Sequence, residues 1–291
     1  MIPFLHLGPI QIPTFGLMVA VAMIVAYYVL RADMARRAIA PRNSATAEIF
    51  IVVPALAGIV GAKLYHVLET PRELFAHPTA MLLSRYGLAW FGGLIGGFTA
   101  WVLLARAKRI PLLESFDAGS AAAALGYGVG RIGCLLSGDG DYGLPTSLPW
   151  AMSFPNGLVP SSERVHPTPI YELLVACAIA WVLWKLGTAQ LAARASGNAG
   201  RLRVESKKAD RTKQQSDRTA QPAESLVRWQ RPGSVFSAYL LLTGLARFMI
   251  EFIRINPRSF FGLTNAQAAS IASMIAGAML WWSVSRGKAP A

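Results

Sequence analysis

The sequence predicts an all-α polytopic membrane protein, because both its composition and the spacing of its apolar residues favour that class. Of the 291 residues, 54% are hydrophobic and only 15% are charged, and the mean hydropathy is +0.41. A water-soluble chain usually carries about 25% charged residues. The apolar residues also come in blocks of about 18 to 23, the length that a helix needs to cross roughly 30 Å of hydrocarbon. We therefore expect a single integral membrane domain over residues 1–291.

Seven apolar blocks predict seven transmembrane helices. They cover residues 15–30, 46–68, 88–105, 116–136, 169–186, 234–253 and 266–284. The segment before the first block has no basic residues and no small-residue cleavage site, so we expect that block to be a retained span and not a removable signal peptide. An odd number of spans places the two termini on opposite sides of the membrane.

The distribution of basic residues predicts the orientation. Twenty Lys and Arg residues fall on the side reached after the first, third, fifth and seventh helices, and five fall on the other side. Cytoplasmic loops carry the excess of positive charge in membrane proteins. We therefore expect the N-terminus outside and the C-terminus in the cytoplasm. The formal net charge of +13 follows from this bias, so no nucleic-acid partner is expected.

Two connections between the predicted helices are long. Residues 137–168, on the outer side, contain the turn-rich run Gly-Asp-Gly-Asp-Tyr-Gly at 138–143 and several prolines, which predicts a small ordered head beside a site. Residues 188–233, on the inner side, are rich in Lys, Arg, Gln, Ser and Ala without an apolar period. We expect a basic cytoplasmic loop there, whose charges obey the orientation rule without a specific binding role.

Ionisable residues fall inside the predicted helices, where each costs several kcal/mol unless it is paired or hydrated. They are Lys63, Asp117, Arg131, Glu172, Arg247 and Glu251. At about 1.5 Å of rise per residue, all of these except Asp117 fall in the outer half of the bilayer. Arg247, Glu251 and Arg254 also follow one another at i, i+4 and i+7, which places them on one face of a helix.

Several cations and a few carboxylates therefore converge near the level of the outer headgroups. A guanidinium group can donate two parallel hydrogen bonds to two phosphate oxygens, and it stays charged when poorly solvated. This set therefore suits recognition of the phosphate of a lipid whose acyl chains remain in the membrane. The alternative is that the arginines pair with Glu172 and Glu251 inside the bundle and only fix the helix packing. Asp117 lies near the inner end of its helix and can equally be a helix-start residue.

Neither a metal site nor a nucleophilic cysteine is predicted. Cys134 and Cys177 both lie inside apolar blocks, and we expect them to be small core residues. A metal-dependent phosphatidyltransferase needs several carboxylates at one-turn spacing, and no predicted span has them. An intramembrane serine protease needs a Gly-x-Ser-Gly motif, which the pair at 137–138 does not complete.

Several short motifs occur in an order that is typical of one family. They are Gly-Arg-Ile-Gly-Cys at 130–134 followed by the run 138–143, His-Pro-Thr-Pro-Ile-Tyr-Glu at 166–172, and Arg-Phe at 247–248 with Glu-Phe-Ile-Arg at 251–254. Further motifs are Gly-Ala-Lys-Leu-Tyr at 61–65, Gly-Gly-Leu-Ile-Gly at 92–96 and Leu-Thr-Asn-Ala-Gln at 263–267. These motifs are spread over most of the chain. In their order and spacing the sequence resembles the prolipoprotein diacylglyceryl transferase family.

This resemblance implies a bacterial inner-membrane enzyme with seven spans, a periplasmic N-terminus and no metal or cofactor. Such enzymes move the diacylglyceryl group of phosphatidylglycerol to the lipobox cysteine thiol of a prolipoprotein signal peptide, and they release glycerol 1-phosphate. Phosphatidylglycerol, other membrane lipids and the prolipoprotein are therefore the expected partners. The active site is expected to face the outer leaflet and the periplasm.

The resemblance also implies roles for individual residues. The expected catalytic residues are Arg247, Glu172, Arg254 and Asp141. The residues expected to bind phosphatidylglycerol are Arg131, Lys63, Asp117, Gly133 and Glu251. We expect Arg247, with Arg254, to lower the pKa of the substrate thiol, because the thiolate is the reactive form. Arg131 and Lys63 are expected to hold the phosphate and to stabilise the leaving group as its charge rises.

The chain departs from the family pattern at several positions. Some members carry a histidine at the position of Phe91, so a histidine base is excluded there. Phe15 and Thr243 replace tyrosines, Cys134 replaces an asparagine, and Lys63 replaces an arginine. The alternative to an active enzyme is therefore a catalytically altered paralogue that acts as a phospholipid-binding membrane scaffold or transporter.

One departure leaves a choice between two acids. The glycine-rich signature is one residue longer than usual, so either Asp139 or Asp141 must take the place of its glutamate. The two side chains are expected to face opposite ways, and only one can reach the site. We favour Asp141, because the family pattern resumes directly after it at Tyr142 and Gly143.

Overall fold

The computed structural model describes residues 1–71, 79, 89–211, 230–257 and 262–286, without the side chains of 197–211. Seven long α-helices lie in this part of the chain: α1 (Thr14–Arg36), α2 (Thr46–Glu69), α3 (Trp90–Ala107), α4 (Leu112–Ser137), α5 (Thr168–Arg211), α6 (Ser234–Ile250) and α7 (Asn265–Arg286). Among the described residues, all of these except α4 provide a segment long and apolar enough to cross a membrane, which makes six such segments.

The prediction of an all-α chain misses four short strands. Strands β1 (Phe4–Leu7) and β2 (Ile10–Pro13) form an antiparallel hairpin before α1, and β3 (Met152–Phe154) pairs with β4 (Ser161–Val165) between α4 and α5. A 3₁₀ helix, Glu251–Ile253, continues α6. These strands escape sequence analysis because each has only 3 to 5 residues.

Helix α5 contradicts the predicted boundary of the inner loop. The helix was expected to end at 186, but it continues to Arg211, so residues 188–211 are helical and not loop. This segment is rich in Ala, Arg and Lys, which favour helix without requiring an apolar face. The absence of an apolar period therefore does not indicate a loop. The rest of the predicted loop, residues 212–229, lies outside the described residues.

The chain forms two compact units. The smaller unit is Ala26–Ser115 and contains α2 and α3. These two helices cross through glycines: a Cβ at Gly61 would collide with the carbonyl oxygen of Gly92, and a Cβ at Gly96 with that of Ala57. Small residues allow such close approach between helices in a membrane. Lys63 lies on α2 in this unit and is half-buried.

The larger unit comprises Met1–Val25 and Phe116–Ala291. Most of α4 belongs to it, and the buried residues of this helix are mainly alanines, including Ala118, Ala121, Ala122 and Ala124. A helix that is enclosed by protein needs few large apolar side chains, which agrees with the absence of α4 from the six apolar segments. Gly133 of α4 packs against α1, since a Cβ there would lie 3.1 Å from Cβ of Met18.

Asp117 connects three elements of the larger unit. Its Oδ2 accepts hydrogen bonds from the backbone N–H of Gly233 at 2.9 Å and from Nε2 of Gln190 at 3.1 Å. Its Oδ1 accepts from the backbone N–H of Phe236 at 2.8 Å. Gly233 is the N-cap residue of α6 and contributes no side-chain cap of its own. The carboxylate of Asp117 therefore satisfies the free N–H groups at the start of α6 from a neighbouring helix.

We expect Asp117→Ala to destabilise the protein by about 1 to 3 kcal/mol, because it leaves buried N–H donors without an acceptor. The measurement is the apparent melting temperature in detergent. Glu163→Ala is the matched control, since it removes an exposed carboxylate from β4. Equal melting temperatures for the two variants would show that the cap contributes nothing.

The segment between α4 and α5 folds into a small head. Its core contains Tyr142, Phe154 and Val165, and Met1 and Leu135 pack against it. The head is tied to the end of α6, because the N–H of Leu144 donates to the carbonyl oxygen of Ile253 at 2.8 Å. A Cβ at residue 143 would lie 2.5 Å from the same oxygen, so only glycine fits at Gly143. This close approach fixes the run 138–143 beside Arg254.

Candidate functional site

Six charged side chains from five parts of the larger unit meet in one place, which we call the charged cluster. They are Arg131 of α4, Asp141 of the head, Glu172 of α5, Arg247 of α6, Glu251 of the 3₁₀ helix, and Arg254 directly after it. Three are positive and three are negative, so the cluster is electrically balanced. The site is consequently a network of ion pairs and not a simple basic patch.

Glu172 lies at the centre of the network. Its Oε1 accepts hydrogen bonds from Nη1 of Arg247 and from the hydroxyl of Tyr127, each at 2.9 Å. Its Oε2 lies 3.0 Å from Nε of Arg131 and 3.5 Å from Nη1 of Arg254. One carboxylate thereby touches the three arginines of the cluster, so its position determines theirs.

Asp141 bridges two of the arginines from the side of the head. One of its oxygens pairs with Nη1 of Arg131 and the other with Nη2 of Arg254. Burial tends to raise the pKa of the Asp141 carboxyl, but the two guanidinium groups outweigh burial and hold the pKa below its ordinary value. The side chain is therefore an ionised carboxylate at neutral pH. Its backbone is also fixed, since Thr168 Oγ1 donates to its carbonyl oxygen at 2.7 Å.

Glu251 holds the other side of Arg247. Its Oε2 lies 2.9 Å from Nη2 of Arg247 and 3.9 Å from Nε of Arg254. Its Oε1 accepts a hydrogen bond from Nδ2 of Asn256 at 2.6 Å. Because Glu172 and Glu251 each bind one Nη atom of Arg247, both ends of this guanidinium group are oriented by carboxylates.

The burial of the cluster is uneven. The side chains of Glu172, Glu251 and Arg254 are at most 4% exposed, whereas those of Arg247 and Asp141 are 26% and 31% exposed. Arg247 and Asp141 thus form the accessible edge, and Glu172 forms the floor.

Several buried atoms of the cluster have no hydrogen-bond partner within the described residues. They are Nε of Arg131, Nε and Nη1 of Arg254, Oε2 of Glu172 and Oε2 of Glu251. These atoms lie at ion-pair distance from one another but without hydrogen-bond alignment. Native proteins rarely leave buried polar atoms in this condition. Open guanidinium donors can bind the oxygens of an anionic group such as a phosphate.

The structure does not bring every predicted site residue to the cluster. Asp117 lies 14 residues before Arg131 on α4, about 21 Å along the helix axis, and it caps the start of α6 and not the start of its own helix, which begins at Leu112. Lys63 belongs to the smaller unit. Gly133 allows α1 and α4 to approach each other. The Oδ1 atom of Asp139 accepts from the backbone N–H of Asp141 at 3.2 Å, so of the two acids Asp141 faces the arginines.

Tyr127 completes the cluster, although the sequence did not predict it as a site residue. Its hydroxyl accepts from Nη2 of Arg131 at 2.8 Å and donates to Glu172. The guanidinium carbon of Arg131 also lies 4.8 Å from the centre of the tyrosine ring. The available signal was a tyrosine one turn before Arg131 on the same helix face. Asn256, two residues after Arg254, carried no comparable signal.

One group of described residues has the composition of a metal site. Cys134, Asp139 and Asp141 place possible ligand atoms within 4.8 Å of one another. Both oxygens of Asp141 already bind guanidinium groups, and Arg131 Nη1 donates to Sγ of Cys134 at 3.4 Å. A cation here would have to lie beside a guanidinium group, so the donor set does not favour a metal.

The fold and the charged cluster together define a class: a multi-pass membrane protein with a buried network of arginines and carboxylates suited to an anionic group. The sequence model of one family, described as prolipoprotein diacylglyceryl transferase, matches residues 3–205 and 223–283. The chain therefore belongs to the prolipoprotein diacylglyceryl transferase family.

Individual relatives agree with this membership. The phosphatidylglycerol–prolipoprotein diacylglyceryl transferase of Clostridium tetani is 27% identical over 271 residues, which cover 92% of this chain and 91% of the relative. The protein of the same name from Geobacter sulfurreducens is 27% identical over 263 residues, with 89% and 84% covered. The one from Synechococcus elongatus is 31% identical over 186 residues, with 61% and 63% covered.

Proposed function

We propose that this protein transfers the diacylglyceryl group of phosphatidylglycerol to the lipobox cysteine of prolipoproteins and releases glycerol 1-phosphate. Family membership supports the reaction, and the charged cluster supports the place where it occurs. The observation that carries the assignment is that three arginines converge on one buried carboxylate, and that Arg131 and Arg254 have guanidinium nitrogens without an aligned hydrogen-bond acceptor. These are the groups that a phosphodiester and its product phosphomonoester require.

The reaction exchanges one bond for another. The thiolate sulfur of the lipobox cysteine attacks the glyceryl carbon that bears the phosphate, a C–S thioether bond forms, and the C–O bond to phosphate breaks. The leaving group is glycerol 1-phosphate, which takes up the negative charge that the thiolate brought. Since the thiol has an ordinary pKa of about 8.5, its ionisation must be favoured by nearby cations.

Each member of the cluster has a proposed role in this reaction. Arg247 lies at the exposed edge and, with Arg254, favours the thiolate and orients it. Arg131 holds the phosphate and stabilises the rising charge on the leaving group. Glu172, Asp141 and Glu251 keep the guanidinium groups in place and present acceptors for the glycerol hydroxyls.

The proposed topology places this site at the outer face of the bacterial inner membrane. In this topology α4 also crosses the membrane, enclosed by protein, so that it and the six apolar segments make seven spans. The N-terminus is periplasmic, the C-terminus is cytoplasmic, and residues 137–168 form a periplasmic head over the site. The excess of Lys and Arg on the opposite side supports this orientation. The cluster then lies near the headgroups of the outer leaflet, where phosphatidylglycerol and the signal peptide can both reach it.

The alternative is a phospholipid-binding scaffold or transporter built on the same fold. It is motivated by the departures at Phe91, Phe15 and Thr243, which remove groups found in other family members. A network that served only helix packing would be expected to satisfy its buried polar atoms. The open donors of Arg131 and Arg254 therefore favour a ligand.

The decisive experiment is a transfer assay with purified protein, phosphatidylglycerol vesicles and a synthetic lipobox peptide. Mass spectrometry should detect a diacylglyceryl increment on the peptide cysteine and the release of glycerol 1-phosphate in equal amount. A peptide with serine in place of the cysteine is the control. Binding of phosphatidylglycerol without any increment would support the scaffold instead.

Tyr127 provides a further prediction about this site. Tyr127→Phe keeps the ring beside Arg131 and removes only the hydroxyl that connects Arg131 to Glu172. We expect kcat/KM to fall by about tenfold, the usual effect of losing one hydrogen bond to a charged group. Tyr28→Phe, which removes an exposed hydroxyl from α1, is the matched control.

A double-mutant cycle shows whether Tyr127 acts through Arg131. If it does, Tyr127→Phe should lower kcat/KM by less than about twofold when it is added to Arg131→Lys, because the orienting hydrogen bond has lost its partner. A purely structural tyrosine would give the same loss in both backgrounds. Full activity of the single variant would exclude Tyr127 from the site.

A further inference from the structure

The N-terminal hairpin has one face that is entirely apolar. Its register pairs Leu5 with Ile12 and Leu7 with Ile10. Directly paired residues point to the same side of a sheet, and neighbours along a strand point to opposite sides. These four side chains therefore share one face, and those of Phe4, His6, Gln11 and Pro13 share the other.

The tip of the hairpin exposes its apolar side chains. Leu7 is 64% exposed and Ile10 is 60% exposed, although both are large aliphatic residues. The turn between them is tight, and Gly8 takes a φ of 61°, the left-handed value that a two-residue hairpin turn needs. The apolar face is therefore presented by a regular hairpin and not by a frayed end.

The hairpin continues directly into an apolar helix. Pro13 is the last residue of β2, and Thr14 is the first residue of α1, which is long and apolar enough to cross a membrane. The first side chain with a full charge is Arg31, so residues 1–30 contain no Lys, Arg, Asp or Glu. Phe15, Leu17 and Val19, in the first part of α1, are also exposed apolar residues.

The root of the hairpin is attached to the elements that carry the charged cluster. The backbone N–H of Ile2 donates to the carbonyl oxygen of Leu136 at the end of α4, at 3.0 Å. Thr14 Oγ1 donates to the carbonyl oxygen of Pro3 at 2.9 Å, which closes the base. Arg131 lies five residues before Leu136 on the same helix. The depth of the hairpin in a bilayer therefore sets the depth of the cluster.

We propose that the apolar face of this hairpin lies in the lipid bilayer, in the leaflet that contains the N-terminal end of α1, and holds the charged cluster at headgroup level. The identity of that leaflet as the outer one rests on the proposed function. Hairpin residues 5, 7, 10 and 12 contact acyl chains, and residues 6 and 11 face the headgroups. An uncharged, aliphatic surface continuous with a membrane span fits lipid better than it fits water.

Ile10 and Gln11 provide a matched test, because they are adjacent residues on opposite faces of β2. Each is replaced by cysteine in a Cys177→Ala background and labelled with a nitroxide in phosphatidylglycerol–phosphatidylcholine vesicles. We expect the label at 10 to be relaxed by oxygen, which concentrates in the bilayer, and the label at 11 by a water-soluble nickel complex. Equal access of the nickel complex to both labels would overturn the proposal, whether or not the protein is an active transferase.

A charge-matched pair tests the consequence for the site. Ile10→Glu should lower transfer from phosphatidylglycerol in vesicles by roughly tenfold, which corresponds to losing the burial of one aliphatic side chain. In detergent micelles, where depth is not fixed, its rate should stay within about twofold of the parent. Gln11→Glu carries the same charge and should stay near the parent in both media. Equal effects of the two substitutions in vesicles would contradict a role for the apolar face.

Discussion

We expect Arg247→Ala to lower the rate of diacylglyceryl transfer by about a hundredfold or more, and Arg131→Ala to do the same, with both variants still inserted in the membrane. Groups that stabilise developing charge in a poorly solvated site have effects of this size. Arg247 is the more exposed of the two and is held at both ends, by Glu172 and Glu251. Arg131 contacts Glu172 and Asp141, so it faces the same centre from α4.

Lysine variants distinguish charge from geometry. Removing Arg247 leaves two buried carboxylates with one partner fewer, which can cost about 3 to 5 kcal/mol of stability. Arg247→Lys preserves the charge and the fold but not the paired donors, so we expect it to recover little activity. The rate is measured on protein that elutes as a single species in detergent. Arg286→Ala, which removes an arginine stacked on Trp282 at the end of α7, is the control. Near-normal turnover by folded Arg247→Ala or Arg131→Ala would overturn the assignment of the site.

Helix positions were predictable wherever hydropathy alone decides them. The second span was expected at 46–68 and is Thr46–Glu69, and the last was expected at 266–284 and is Asn265–Arg286. Lipid imposes this agreement, because an apolar block must begin and end where the hydrocarbon does. The prediction was wrong for the end of α5, where the helix continues into a polar segment whose own propensity maintains it.

The number of residues between a side chain and the end of its helix gives its depth in the membrane, and this decides how much of the site could be predicted. Every span crosses the membrane roughly along its normal, so counting residues from a helix end places Arg131, Glu172 and Arg247 in the same half of the bilayer. Counting does not give the rotation of each helix, so it cannot say which atoms meet. The bridging of Arg131 and Arg254 by Asp141, and the central position of Glu172, depend on that rotation and on a head that sequence does not define.

Asp117 illustrates the opposite case. The count along α4 placed it near the inner end, and the family resemblance assigned it to the substrate. Its three hydrogen bonds to Gln190, Gly233 and Phe236 agree with the count. A buried carboxylate inside a helix was correctly identified as exceptional, but its partners are two backbone N–H groups at the start of α6 and the side chain of Gln190. Without the neighbouring helix, sequence alone cannot distinguish a cap from a ligand.

We expect Asp141→Asn to lower the transfer rate by about ten- to a hundredfold, and Asp139→Asn to leave it within about threefold of wild type. The amide of asparagine offers one acceptor oxygen, and its NH₂ group faces a guanidinium group that can only donate. Arg131 and Arg254 both lose a charged partner in this variant. Asp139 accepts a hydrogen bond from the backbone N–H of Asp141, and burial raises the pKa of its carboxyl.

The pH dependence of stability separates the same two residues. The folded-state pKa of Asp141 is held below its ordinary value of about 3.9, so its ion pairs stabilise the protein above that pH and are lost as the pH falls through the folded-state pKa. Wild-type protein should therefore lose melting temperature steeply below about pH 4, and Asp141→Asn should start lower at neutral pH and lose less on acidification. Both curves are measured in detergent between pH 7 and pH 3. If Asp139→Asn shows the flattened curve and the lost activity while Asp141→Asn resembles wild type, the acid of the lengthened signature is Asp139, and the bridging role falls to it.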